Sequence, residues 1–207
     1  MDHVTGARRA LVTGADTTVG AAVARTLRAR GMDVVEAFDA PVDVAVYAAV
    51  DVDTLAVQRL RDTDEETWRR RCEDPIAGFV AWLQRVHPLV VSSRGTVVLV
   101  APSVSQEGAA GLVPYTTAVE TQRLLAKSAA RQWAADGITV LVVAPRLDAL
   151  VSSPLDGTDA LRTDPVLDAP AYDADAVAAV VALLTDPAAR VMTGGTFAVD
   201  GGALMTP

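Results

Sequence analysis

Two stretches, residues 95–101 (GTVVLVA) and 138–144 (ITVLVVA), constrain this chain most. Each is apolar at almost every position and shorter than an ordinary helix, so both of its faces must be buried. That is what a central strand of a parallel sheet needs when helices cover the sheet on both sides. Residues 9–14 (RALVTG) form another short apolar strand, and Val19, Ala22, Val23 and Leu27 then recur at helical spacing until Gly31 stops the helix. Residues 32–37 and 42–50 read as the second and third strands. Residues 64–86 read as a helix carrying Trp68, Phe79 and Trp82, with a break or kink at Pro75. A long helix is predicted over 115–135, a long loop rich in Pro, Asp, Ser and Thr over 145–172, a helix over 173–184 and a last strand at Thr196–Val199. Strands alternating with helices, without repeat or linker, predict one doubly wound α/β domain over residues 1–207 with a mostly parallel sheet.

Charge and side-chain chemistry narrow the function classes. The 18 Lys and Arg against 26 Asp and Glu leave a net charge of −8, which repels the phosphates of nucleic acids and of anionic membranes. No nucleic-acid or membrane partner is expected. The longest apolar run, residues 176–184, is far below the ~18 residues of a membrane span, and no charged-then-apolar leader precedes the first strand. A cytoplasmic protein is the expectation. The single Cys72 forms no internal disulfide, and His3 and His87 are too few and too far apart for a histidine metal cluster.

Four stretches in order resemble the short-chain dehydrogenase/reductase family over nearly the whole chain. They are residues 13–20 (TGADTTVG), the helix from Tyr115 through residues 125–131 (LAKSAAR), residues 137–145 (GITVLVVAP) and residues 193–202 (TGGTFAVDGG). The resemblance implies a Rossmann-type sheet, here shortened by one edge strand and its helices, because few residues separate Phe38 from Val42. With so short a return path, the second strand is expected to be short or displaced. The resemblance also implies a serine that polarises the substrate oxygen, a tyrosine that passes the proton, a lysine four residues later and an asparagine on the preceding helix. Tyr115 keeps its place. The serine position holds Pro102, the lysine position Val119 and the asparagine position Pro75. Lys127, the chain's one lysine, lies twelve residues past Tyr115, or ~18 Å along the helix, and cannot reach it. Ser103, one residue beyond the vacant serine position, is the substitute the sequence offers.

At the first turn the resemblance implies NAD or NADP on Thr13, Gly14, Thr18 and Gly20, with Asp39 as the acid on the ribose hydroxyls. Thr18 replaces the middle glycine of the turn, and Val50 in residues 47–50 (YAAV) replaces a glycine that lines the groove. Both are steric objections to the usual pose, and if the glycine position at Thr18 needs a positive φ, a β-branched residue there is strained. The leading expectation is a catalytically degenerate oxidoreductase that associates with an active relative through the helices at 64–86 and 115–135. A homo-oligomer, and a small-molecule ligand, also fit. The alternative is an NAD(P)-dependent carbonyl reductase or alcohol dehydrogenase using Tyr115 with Ser103. A ligand sensor acting at the Gly14–Gly20 turn, and a lyase or isomerase using Tyr115 alone, stay open.

Overall fold

The structure is a computed structural model that describes residues 7–151, 164–168 and 172–205. Six strands form one sheet: β1 (Arg9–Thr13), β2 (Asp33–Val35), β3 (Val44–Tyr47), β4 (Thr96–Val100), β5 (Thr139–Pro145) and β6 (Thr196–Val199). Their order is β2-β1-β3-β4-β5-β6 and every pairing is parallel. All five residues of β4 and all seven of β5 are buried, as their unbroken apolar sequence requires. Side chains alternate between two cores. Val12, Val46, Val98 and Val143 face α1 (Thr18–Ala29) and α6 (Ala174–Leu184). Leu11, Ala45, Leu99 and Val142 face α3 (Asp74–Val90) and α5 (Val113–Trp133), which the short α4 (Val104–Glu107) precedes. Each fully buried Val or Leu contributes roughly 1.5–3 kcal/mol, so the two-sided burial accounts for the sheet's stability without a metal or a disulfide.

At the β2 edge, the short return path has the expected effect. β2 has three residues, and the chain from Glu36 comes straight back under the sheet, where Asp43 N–H donates to the Arg9 carbonyl (2.8 Å). Phe38 is held on the way by the Arg85 guanidinium, 3.9 Å from its ring centre. The break expected at Pro75 takes the form of a π-helical turn. α2 (Glu65–Trp68) runs through Arg69–Glu73 in that wider winding, and Asp74 N–H donates to the Arg69 carbonyl five residues back. Pro75 has no N–H, and its ring collides with a carbonyl in the preceding turn of a regular α-helix; the wider turn removes that collision.

Candidate active site

β1 leads into α1 through a turn built on two glycines. Gly14 has φ +86°, and a Cβ there would lie 2.6 Å from the Ala49 amide nitrogen. At Gly20 a Cβ would lie 1.9 Å from the Gly14 carbonyl oxygen. Thr17 caps α1: its hydroxyl accepts from Gly20 N–H (3.0 Å) and lies 2.8 Å from the Gly14 carbonyl. Thr18 opens the helix with a negative φ, so the strain expected from a β-branched residue at this position is absent. Its side chain still stands where the family's glycine would leave room. The Thr13 hydroxyl accepts the Trp82 indole N–H at 2.8 Å, which ties the turn to α3. Thr13, Gly14, Thr18 and Gly20 are thus brought together.

Asp39 is not brought to them. It pairs with Arg9 (3.5 Å), which also meets Asp33 (3.4 Å), and Arg9 opens β1 where Gly14 closes it. This is the amino end of the sheet, a strand's length (~15 Å) from the edge where such folds bind ligands. The expectation of a ribose ligand at Asp39 is therefore corrected: the return path is too short to carry Asp39 to the upper edge.

Beyond the carboxyl ends of β3 and β4 lies a cavity of about 330 Å³. Tyr115, Val119, Pro102 and Pro75 all line it. The four positions that the resemblance assigns to catalysis therefore converge, although only one of them carries a group that can move a proton. α5 presents Tyr115, Ala118, Val119 and Gln122 to the cavity at i, i+3, i+4 and i+7, one face of a helix. Tyr115 is 7% exposed, and its hydroxyl has no hydrogen-bond partner among the described residues. Burial pushes its phenol well above the ordinary value. Tyr47, at the end of β3, packs edge-on against Phe79 and Trp82, and burial raises its phenol as well.

Ser103 does not join this group. Its hydroxyl donates to the Pro145 carbonyl (3.3 Å) at the end of β5, and it is absent from the cavity wall. Pro102 and Ser103 follow one another in a chain held close to β5, so they face different ways. The proposed rescue of the missing serine is corrected accordingly. Lys127 is likewise outside the cavity, in an exposed position on α5. Among the described residues no group of His, Cys, Asp and Glu is placed to hold a metal, and no helix is long and apolar enough to cross a membrane.

Sequence reasoning missed Gln122, which lies seven residues after Tyr115; the helical period of α5 contained that signal. It also missed Arg123, which is 3% exposed and anchors the chain after β4. One consequence is measurable. Tyr115 and Tyr47 are less ionised near pH 10 than a free tyrosine, which is half ionised there. In an alkaline ultraviolet titration, Tyr115→Phe removes no ionising phenol below about pH 10. The unfolded chain releases this proton where the folded chain keeps it, so the contribution to stability is lost as pH rises beyond ~10.

A family profile described as Enoyl-(Acyl carrier protein) reductase matches residues 31–204. A 3-oxoacyl-[acyl-carrier-protein] reductase of Synechocystis sp. is 30% identical over 246 aligned positions, covering 96% of this chain and 98% of that protein. Two solved structures share the fold. An oxidoreductase of the short chain dehydrogenase/reductase family from Burkholderia thailandensis superposes with a TM-score of 0.77 at 23% identity, over 97% of this chain and 94% of its own. A short chain dehydrogenase from Burkholderia cenocepacia, in complex with NADP, gives 0.78 at 22% identity over 95% and 97%. Matches of this breadth run from the edge of β2 to the turn after β6, and by them the chain belongs to the short-chain dehydrogenase/reductase family.

Proposed function

We propose that this chain is a pseudo-oxidoreductase: a family member that keeps the frame of the catalytic site without its proton chemistry, binds a small molecule in the cavity, and associates with an active relative. One observation carries the reading. The four catalytic positions meet in one cavity, and three of them are Pro75, Pro102 and Val119. Loss of one oxygen-polarising donor costs on the order of 10²–10³ in rate, and loss of acid–base assistance about 10²–10⁴ more. A phenol pushed upward by burial is a poor base, so alcohol oxidation suffers most.

The residues suit only part of a dinucleotide. The amino end of α1 and the Gly14–Gly20 turn have the shape and dipole that hold a phosphate. At the ribose end the expected acid sits at the opposite edge of the sheet, and Val50 stands where the resemblance places a glycine of the groove. Each lost ribose hydrogen bond weakens binding by roughly tenfold. NAD and NADP are therefore expected to bind weakly, and no chemical step is assigned to them. Association through the outer faces of α3 and α5 would cover Leu124, an apolar side chain that is 65% exposed on α5. A homo-oligomer would use the same helices.

The test is NADPH consumption with a 3-oxoacyl thioester, the substrate class in the name of the Synechocystis relative. Expected is no rate above that of Tyr115→Phe. Turnover that Tyr115→Phe abolishes at unchanged melting temperature would establish the reductase instead. Native mass spectrometry of the protein isolated from its own source is expected to show a related second chain; a homo-oligomer saturated with NAD or NADP would overturn the reading.

A further inference from the structure

We infer that Gln122 makes the cavity a site for an uncharged, mostly apolar ligand with a hydrogen-bond acceptor at one end and a donor at the other. This rests on the reading of the cavity as a binding site without redox chemistry. Gln122 is 8% exposed, and its Nε2 donates to the Pro75 carbonyl at 3.1 Å. That bond fixes the amide's orientation, because a carbonyl accepts only from the NH₂ side. Oε1 makes no hydrogen bond among the described residues, and Gln122 lines the cavity, so this acceptor is available to a ligand there. The π-helical turn before Pro75 and the register of α5 bring the two groups together, so the acceptor is preorganised.

Tyr115 supplies the complementary group, an O–H donor, two helical turns (~10.5 Å of helix axis) from Gln122. Between them the wall is Val119, with Val100, Pro102 and Pro75 around it. A ligand there needs an apolar body of roughly the volume of ten waters, a carbonyl or ether oxygen toward Tyr115, and an O–H or N–H toward Gln122. A carboxylate fits badly, because the one cation in the lining, Arg70, is outnumbered there by Asp51 and Asp74, and burying a charge without a free partner is costly.

The experiment is calorimetric titration of the full chain with octan-2-one, 8-hydroxyoctan-2-one and octanoate near pH 7.5. The hydroxyketone is expected to bind about tenfold more tightly than the ketone, and octanoate at least tenfold more weakly than the hydroxyketone. Gln122→Leu is expected to erase the advantage of the hydroxyl while changing ketone affinity less than about twofold; Gln122→Met serves if that variant fails to fold. Tyr115→Phe weakens both ketones alike. Octanoate binding as tightly as the hydroxyketone, a hydroxyl advantage that survives loss of Gln122, or no binding of either ketone at millimolar concentration would overturn the inference. Reduction of octan-2-one by NADPH would overturn the pseudo-oxidoreductase reading and leave the hydrogen-bond assignment standing.

Discussion

Gly20→Ala is expected to prevent accumulation of folded protein, a loss of more than about 4 kcal/mol, seen as disappearance of the cooperative melting transition. The added Cβ would lie 1.9 Å from the Gly14 carbonyl oxygen and 2.6 Å from its carbon, both backbone atoms. Gly14 cannot yield, since it already sits at φ +86° against the Ala48–Ala49 backbone. Thr17 is drawn in as well, because its hydroxyl joins Gly14, Ala48 and the Gly20 amide. Gly78→Ala is the control: it lies within α3, a Cβ there meets nothing within 4 Å, and the change is expected to stabilise by about 0.5–1 kcal/mol. The contrast has a functional meaning. Both glycines of the turn are demanded by strand-to-helix packing against β3, so their presence does not require a bound nucleotide.

That turn shows what a sequence of this kind discloses and where it stops. The two-faced strands β4 and β5 were legible because burial on both sides leaves almost no polar position, and the doubly wound parallel sheet followed from the alternation of elements. The positions that the family resemblance assigns to catalysis were found by counting along its motifs, and Tyr115, Val119, Pro102 and Pro75 do line one cavity. What spacing could not give was direction. Ser103 is adjacent to Pro102 in sequence, yet its hydroxyl turns to the Pro145 carbonyl because the chain after β4 continues to pair with β5 there. Asp39 has the right distance in sequence from Gly20, but the abbreviated return to β3 carries it to the wrong end of the sheet. Thr18 looked strained because a glycine was expected to have positive φ; the helix begins at this residue, and a β-branched side chain is accepted there.

Arg123→Ala is expected to cost about 1–3 kcal/mol, measured by chemical denaturation, because it removes the hydrogen bonds of a buried guanidinium and takes its side-chain donor from the Ala101 carbonyl. The Arg123 side chain is 3% exposed. Its Nε donates to Glu120 at 2.9 Å, and its Nη2 lies 3.2 Å from the Ala101 carbonyl, 3.1 Å from that of Pro102 and 3.1 Å from the Ser105 hydroxyl. Arg123→Lys restores the charge beside Glu120 but not the planar fork that reaches two carbonyls, so it should recover only part of the loss. The network matters to the cavity as well as to stability. Val100 and Pro102 are the residues by which the end of β4 enters the cavity wall, and α5 carries Tyr115 and Gln122 into it as well. Arg123 thus joins the two walls, as α5 grips the backbone that follows β4. Ligand affinity in Arg123→Lys, at a temperature where the variant is fully folded, is therefore expected to fall several-fold while that of Gly78→Ala is unchanged. A site that had lost its catalytic groups and served nothing would have no need of two walls held in register. Equal ligand affinity in Arg123→Lys and the unaltered chain would reduce Arg123 to a stabiliser of the fold.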